Sequence, residues 1–270
     1  MLTRCISGAV LVVLALVTIL SGGYVLAGTL LAISCIAFHE LSKVCKIHTD
    51  KSFNVLEVIC YISIILLYGI TAFTGEDMYV LVWVIVVFFA ILGVYVFTFP
   101  KFHAGQIMAA FFCTLYAPLM FSFIYRIRAT EYGIYLVWMV FVSSWISDTF
   151  AYFTGMLLGK HKLAPVLSPK KSIEGSIGGI AGSALAGALF GYLFSTKVPQ
   201  EINFVVVCAV LGALGSVISQ IGDLAASGIK RNYEIKDYGT LIPGHGGIMD
   251  RFDSVIVTAP IIYFLVYYLI

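Results

Sequence analysis

Long apolar runs alternate with short polar connections along the whole chain. Each run has about the 20 residues that a helix needs to cross a bilayer. The pattern therefore predicts an all-α, polytopic integral membrane protein with about nine transmembrane helices. The predicted spans are residues 4–20, 24–42, 53–73, 79–98, 104–125, 132–158, 173–195, 202–226 and 249–268.

The composition agrees with this fold class. Of the 270 residues, 61% are hydrophobic and only 11% are charged, whereas soluble domains usually carry about 25% charged residues. The net charge of +2 and the lack of a basic tail argue against nucleic-acid binding. We expect a single membrane domain over 1–270, in which residues 1–130 form N-terminal helices with no assigned role and residues 131–270 form the helices and cytoplasmic loops of the functional site.

The first apolar run has the appearance of a secretory signal peptide. The next run begins at Tyr24, however, and Ser21-Gly22-Gly23 forms a short turn between the two. Such a pair is typical of a helical hairpin, so we expect the first helix to be retained.

The basic residues predict the orientation of the chain. With nine spans, 13 of the 16 basic residues fall in loops on one side, and the other side receives only Arg126, Arg128 and Lys197. Cytoplasmic loops collect Lys and Arg, so the N-terminus is expected inside and the C-terminus outside.

One polar stretch interrupts the apolar pattern, from Ser227 to Asp253. Burying such groups without partners costs several kcal/mol each, so a polar ligand or a metal is the simplest explanation. The stretch therefore indicates a functional site.

Four aspartates lie within the predicted spans: Asp148, Asp223, Asp250 and Asp253. Asp223 is three residues before the end of its predicted span, and Asp250 and Asp253 lie at the start of theirs. These three are therefore expected within roughly 10 Å of the cytoplasmic face, and Asp148 is expected to lie deeper. Clustered carboxylates repel one another unless a cation holds them, and oxygen ligands suit Mg²⁺. The alternative is a set of buried salt bridges, for instance with Arg251 or Lys230.

A second polar element is the connection 160–175, predicted as a cytoplasmic loop. It ends at the seventh span, where Ser172 can act as the N-cap. Lys170 and Lys171 stand beside this helix N-terminus, whose free N–H groups favour anions, so we expect them to contact phosphate. Glu174 would repel the same phosphate unless a metal or a lysine pairs with it. Topology alone can account for the other lysines of the loop.

A third element is the glycine-rich turn within the polar stretch. Gly244, Gly246 and Gly247 surround His245 and allow main-chain N–H groups to approach a phosphate. The cations of the predicted loop are Lys230, Arg231 and Lys236. Although a loop histidine is most often only solvated, its position favours a role for His245 in the site.

Together these elements predict a cytosol-facing pocket with a divalent metal, several phosphate-binding cations and walls open to lipid. A nucleoside triphosphate reacting with an anionic lipid fits every part of this description. Phosphoryl or nucleotidyl transfer depends more on charge neutralisation and positioning than on a special nucleophile.

Three motifs resemble those of the phosphatidate cytidylyltransferase (CDP-diacylglycerol synthase) family. The longest is Ser227-x-x-Lys230-Arg231-x4-Lys236-Asp237-x-Gly239-x-x-Ile242-Pro243-x-His245-Gly246-Gly247-x-x-Asp250-Arg251-x-Asp253. The others are Ser168-Pro169-Lys170-Lys171-Ser172-x-Glu174-Gly175 and Asp148-Thr149-x-Ala151-Tyr152.

The resemblance implies that CTP and phosphatidate react to give CDP-diacylglycerol and pyrophosphate, with Mg²⁺ as cofactor and a second cation left open. It also suggests a homodimer, and a bacterial inner membrane with the active site facing the cytoplasm. Catalytic roles are expected for Asp223, Asp250, Lys230 and Arg231. Metal ligands are expected at Asp223, Asp250, Asp253 and Asp148. Substrate binding is expected at Lys170, Lys171, Ser227, Lys236, His245, Gly246, Gly247 and Arg251.

Other functions fit the sequence less well. A transporter would need essential polar groups reaching the outer leaflet, where only Glu131, Glu201 and the Glu76-Asp77 loop supply carboxylates. A CDP-alcohol phosphotransferase would need an Asp-x-x-Asp-Gly motif, which the sequence lacks. A CTP-dependent polyprenol or lipid kinase is the nearest enzyme alternative, and it would transfer the γ-phosphate and release CDP.

Overall fold

A computed structural model describes residues 2–48, 53–244 and 246–270. Each predicted span coincides with helical structure, so the prediction of a helical fold is confirmed. The α-helices are α1 Leu2–Ser21, α2 Gly23–Val44, α3 Val55–Phe73, α4 Asp77–Thr98, α5 Ala104–Thr114, α6 Met120–Ala129, α7 Gly133–Leu136, α8 Trp138–Phe141, α9 Ser147–Leu158, α10 Ile173–Phe194, α11 Phe204–Asn232 and α12 Met249–Leu269.

Within the described ranges, eight helical segments are long and apolar enough to cross a membrane. The helix α1 adds a shorter apolar segment, Gly8–Ser21. These lengths and compositions support a polytopic membrane protein. The count of nine spans and the orientation of the termini stay predictions.

Two π-helical turns interrupt the fifth and sixth spans. The first, Leu115–Leu119, contains Pro118, which has no N–H for the regular helical ladder. The second, Val142–Ile146, lies directly before α9. Such turns are frequent at functional sites, and the second one leads into the residue pair Ser147 and Asp148.

The helix α11 extends to Asn232, although the apolar run that predicted it ends at Ala226. Lys230 and Arg231 lie in its last turn, so the prediction that they are loop cations was wrong. Backbone hydrogen bonds continue past the apolar run, and basic side chains favour a helix C-terminus. Asp223 is therefore nine residues before the end of its helix, and not three.

The connection before α10 contains a small antiparallel hairpin, which the sequence predicted only as a loop. Its strands are β1 Lys162–Ala164 and β2 Ser168–Ser172, and Lys162 pairs with Ser172. The N–H of Ile173 also donates to the carbonyl of His161 at 2.9 Å. Because β2 runs directly into α10, the hairpin fixes how the lysines of β2 enter that helix.

The chain forms two compact units. Unit 1 comprises the helices up to Arg126 together with Lys236–Arg251, and unit 2 comprises Ile127–Ile235 and Phe252–Ile270. Most of the polar stretch thus belongs with the N-terminal helices, for which no role was predicted. The prediction of one membrane domain stays a prediction.

Large side chains fill the interior of unit 1. Phe38 and Phe121 are fully buried, and the indole N–H of Trp83 donates to the carbonyl of Ser63 at 2.8 Å. Burial of this kind leaves few internal gaps, and buried indole groups usually find such a partner.

Unit 2 is packed differently, around the glycines of α10. A Cβ on Gly182 would overlap the ring of Phe150 on α9, and a Cβ on Gly187 would overlap the carbonyl of Cys208 on α11. Only glycine allows backbones to approach so closely. The small residues of α10 therefore allow its close packing against α9 and α11.

Candidate active site

Unit 2 contains a cavity of about 330 Å³ between α9, the hairpin, α10 and α11. Its wall combines charged, hydroxyl and apolar groups, which suits a ligand that is partly charged and partly apolar. The lining residues are Asp148, Ala151, Tyr152, Gly155, Met156, Leu163, Lys170, Lys171, Ser172, Gly175, Ser176 and Gln220.

An ion pair lies beside this cavity. Lys171 Nζ contacts Asp223 Oδ2, with the two side chains 25% and 29% exposed. The Asp148 carboxyl is within electrostatic range of both groups. The structure therefore brings together three residues that the sequence predicted separately, and the salt bridge considered as the alternative is present with Lys171 as its basic member. Lys170 is exposed at the same cavity.

A third carboxylate of unit 2 joins this region from α12. Asp253 is only 9% exposed, and its Oδ1 accepts from the N–H of Ser254 at 2.8 Å. Asp223 and Lys230 are within electrostatic range of it. Asp148, Asp223 and Asp253 of unit 2 thus lie within electrostatic range of one another.

The proximity of these three carboxylates bears on the predicted metal site. Within the described ranges, no group of three or more His, Cys, Asp or Glu side chains is arranged to hold a metal ion. Mg²⁺, however, is commonly bound through one or two carboxylates together with substrate phosphates and water. The donor chemistry of Asp148 and Asp223 fits that mode, and the ligand set predicted from sequence stays a prediction.

The N-terminus of α10 has the cap that the sequence predicted. The N–H of Gly175 donates to Ser172 Oγ at 3.1 Å. Glu174, which was expected to repel phosphate, is engaged by other partners. Its carboxylate accepts from the backbone N–H groups of Lys160 and His161 at 3.1 and 3.2 Å, and from the ring of His161 at 2.6 Å. Its carboxylate therefore ties the start of the hairpin to α10.

A neutral polar cluster completes the cavity wall, and the sequence analysis missed it. Gln220 is 7% exposed; it accepts from Ser176 Oγ and donates to Ser216 Oγ at 3.4 Å. The hydroxyls of Ser216 and Ser147 are 2.7 Å apart. The spacing of Ser216 and Gln220 by four residues in an apolar span was the available signal, because such groups join helices in membranes.

The glycine-rich turn belongs to unit 1. Asp250 Oδ2 accepts from the N–H groups of Tyr238 and Gly247 at 2.8 and 2.9 Å. Gly246 has a φ of 85°, a conformation that favours glycine. His245 lies outside the described residues.

A carboxylate from the N-terminal helices meets the same turn. Glu40 of α2 is 6% exposed, and its oxygens accept from the N–H groups of Ile248 and Met249 at 3.0 and 2.9 Å. A Cβ on Gly239 or Gly247 would overlap this carboxylate. The sequence analysis missed Glu40, although a carboxylate inside an apolar span was a signal.

The remaining predicted site residues lie on α11 and in the second segment of unit 1. Ser227 is half-buried on α11, and Arg231 is exposed in the last turn of that helix. Lys236 and Arg251 are exposed in unit 1. Their substrate contacts, and those of Lys230, stay predictions.

These observations define a polytopic helical membrane protein with a charged cavity suited to phosphate-bearing ligands. Residues 2–269 match the sequence profile of the Cytidylyltransferase family. The chain belongs to this family, which confirms the resemblance drawn from the three motifs.

Relatives with assigned names agree with this family. The chain is similar to the phosphatidate cytidylyltransferase of Bacillus subtilis (strain 168), with 35% identity over 169 residues, which cover 62% of this chain and 60% of the relative. It is also similar to the phosphatidate cytidylyltransferase of Staphylococcus aureus (strain COL), with 36% identity over 158 residues, or 57% of this chain and 58% of the relative. The match therefore spans less than two thirds of the length of these relatives.

Proposed function

We propose that the protein transfers the cytidylyl group of CTP to phosphatidate and thereby forms CDP-diacylglycerol and pyrophosphate for phospholipid biosynthesis. The observation that carries the proposal is the Lys171–Asp223 ion pair beside Asp148, at a cavity whose wall is both charged and apolar. Membership in the Cytidylyltransferase family and the names of the relatives support it.

The reaction demands little covalent chemistry from the protein. A phosphate oxygen of phosphatidate attacks the α-phosphorus of CTP, the bond from that phosphorus to the bridging oxygen breaks, and pyrophosphate leaves. Because phosphatidate is already anionic, no strong base is required. The main obstacle is repulsion between the two anionic substrates, which Lys170 and Lys171 would reduce.

Asp148 and Asp223 are the residues of unit 2 that would hold Mg²⁺. Bound there, the ion would offset the charge that develops on pyrophosphate. Lys171 would then exchange its contact with Asp223 for a substrate phosphate. In the absence of substrate, this ion pair offsets part of the cost of removing the two charges from water.

We also propose a location for the protein. The excess of Lys and Arg on one side of the predicted topology supports a site that faces the cytoplasm. The bacterial relatives support a bacterial inner membrane. A homodimer remains an expectation of the family resemblance.

Labelled CTP tests the proposal directly. Purified protein is incubated with phosphatidate vesicles, Mg²⁺ and CTP labelled at either the α- or the γ-phosphate, and the lipid is extracted. Cytidylyl transfer predicts that only the α-label enters the lipid, whereas a lipid kinase would transfer the γ-label. Label that stays entirely in the aqueous phase would contradict both enzymes.

A matched pair of variants controls for the protein preparation. Asp223→Asn removes the charge that pairs with Lys171 and should abolish most of the lipid labelling. Glu201→Gln changes an exposed carboxylate of unit 2 that does not line the cavity, and it should label lipid like the unaltered protein.

A further inference from the structure

Glu40 is a buried carboxylate that the proposed reaction does not use. It lies near the end of α2 and is 6% exposed. Its two oxygens accept one backbone N–H each, from Ile248 and Met249, at the start of α12. The first turn of a helix has N–H groups without helical partners, and a carboxylate there gains from charge-assisted hydrogen bonds and from the helix dipole.

The backbone around Glu40 has room for this carboxylate only because two neighbours are glycines. A Cβ on Gly239 or on Gly247 would overlap the carboxylate. Both glycines belong to the long motif of the polar stretch. Gly239 and Gly247 thus share one steric requirement, because a side chain at either position would enter the space that Glu40 occupies.

Gly247 links Glu40 to Asp250. Its Cα faces the Glu40 carboxylate, while its N–H donates to Asp250 Oδ2 at 2.9 Å. The N–H of Tyr238 donates to the same oxygen at 2.8 Å. The orientation of Asp250 therefore depends on backbone groups that Glu40 keeps in place.

We propose that Glu40 is a positioning residue for cytidylyl transfer, acting through the segment Lys236–Arg251. It holds the start of α12 and the glycine-rich turn in the conformation that orients Asp250. The role in catalysis rests on the proposed function, whereas the holding contact does not. This gives the N-terminal helix α2 a part in the activity.

Hydrogen exchange tests the holding contact without substrate. In Glu40→Gln and Glu40→Ala, amide exchange in peptides covering 239–249 should rise by about tenfold or more, because charge-assisted hydrogen bonds to Ile248 and Met249 are lost. Glu57→Gln is the matched control: Glu57 is also a buried carboxylate of unit 1, and its oxygens contact the backbone N–H of Asn54 and the ring of His48. That variant should leave exchange in 239–249 unchanged.

Steady-state kinetics then test the role in catalysis. The kcat of lipid labelling should fall by about 10- to 100-fold in Glu40→Ala, as is typical for residues that orient reacting groups, and less in Glu40→Gln, which keeps one acceptor oxygen. The KM for CTP should change by no more than about threefold, because the lost contact orients groups rather than binding substrate. Glu57→Gln should keep its kcat even if its melting temperature falls.

A double variant separates positioning from general damage. Gly247→Ala should lower kcat strongly in the unaltered protein, but add little to the loss in Glu40→Ala, where the overlapping carboxylate is gone. Unchanged exchange in both Glu40 variants, or raised exchange with unchanged kcat, would overturn the proposal. If the unaltered protein labels no lipid, the proposed function fails, while the exchange measurement still decides whether Glu40 holds the turn.

Discussion

The two units hold their carboxylates in different ways. In unit 2, Asp223 contacts the side chain of Lys171, and Asp148 stands within electrostatic range of both. In unit 1, Glu40 and Asp250 accept from backbone N–H groups. The carboxylate of Asp223 thus contacts a lysine side chain, whereas the carboxylates of unit 1 are hydrogen-bonded to the main chain.

The difference indicates which carboxylates are available to substrate. A lysine side chain can exchange a carboxylate for a phosphate by rotating its own bonds, so the pair in unit 2 can open when a ligand arrives. Glu40 accepts from main-chain N–H groups through both of its oxygens, so it cannot leave without disturbing the fold around it. We therefore expect Asp223 to take part in the reaction and Glu40 to maintain the backbone conformation around it.

The largest expected effect is at the ion pair. Lys171→Met should lower kcat by about 100- to 1000-fold, the usual loss when one donor to a developing charge is removed. Lys197→Met is the control, because Lys197 is exposed and does not line the cavity. Initial rates of lipid labelling measure the effect. A variant with full activity would show that the pair is structural, and the contrast between the units would disappear.

A smaller effect is expected where α10 packs on α9. Gly182→Ala should reduce the free energy of unfolding by about 1–3 kcal/mol, because the added methyl overlaps the ring of Phe150 in a closely packed interface. Gly69→Ala serves as control, since nothing lies within 4 Å of a Cβ at that position. Denaturant unfolding in detergent measures both, and equal stability would show that the interface adjusts freely.

The smallest effect is expected at the cap of α10. Ser172→Ala removes the acceptor of the Gly175 N–H and should cost about 1 kcal/mol of stability, whereas Ser172→Thr retains a capping hydroxyl. Thermal unfolding distinguishes the two variants. If Ala and Thr behave alike, the hairpin and not the cap determines where α10 begins.

The sequence predicted the helices well because apolar runs of spanning length are a strong signal. It failed at the end of α11, where six further residues remain helical after Ala226. Hydropathy detects contact with lipid, whereas a helix needs only its backbone hydrogen bonds and can continue into water. The hairpin was missed for a related reason, because its two strands are short and carry no alternating apolar pattern.

The site was predicted in part. Asp148, Lys171 and Asp223 were each identified by type and position, and their proximity in unit 2 is what the structure adds. Glu40 could not be connected to Met249 from the sequence, because more than two hundred residues separate them and no local pattern encodes the contact. Long-range pairings of this kind depend on tertiary packing.

The continuous course of α11 has one further consequence. Asp223 and Lys230 are seven residues apart on this unbroken helix, so they share a face at a separation of about 10 Å along the axis. The hydrogen-bonded helix sets this interval between the two backbone positions and keeps it nearly constant while the helix is intact. Because the backbone holds Asp223 and Lys230 at this interval, any adjustment to substrates of different size must come from side-chain rotation or from other parts of the protein.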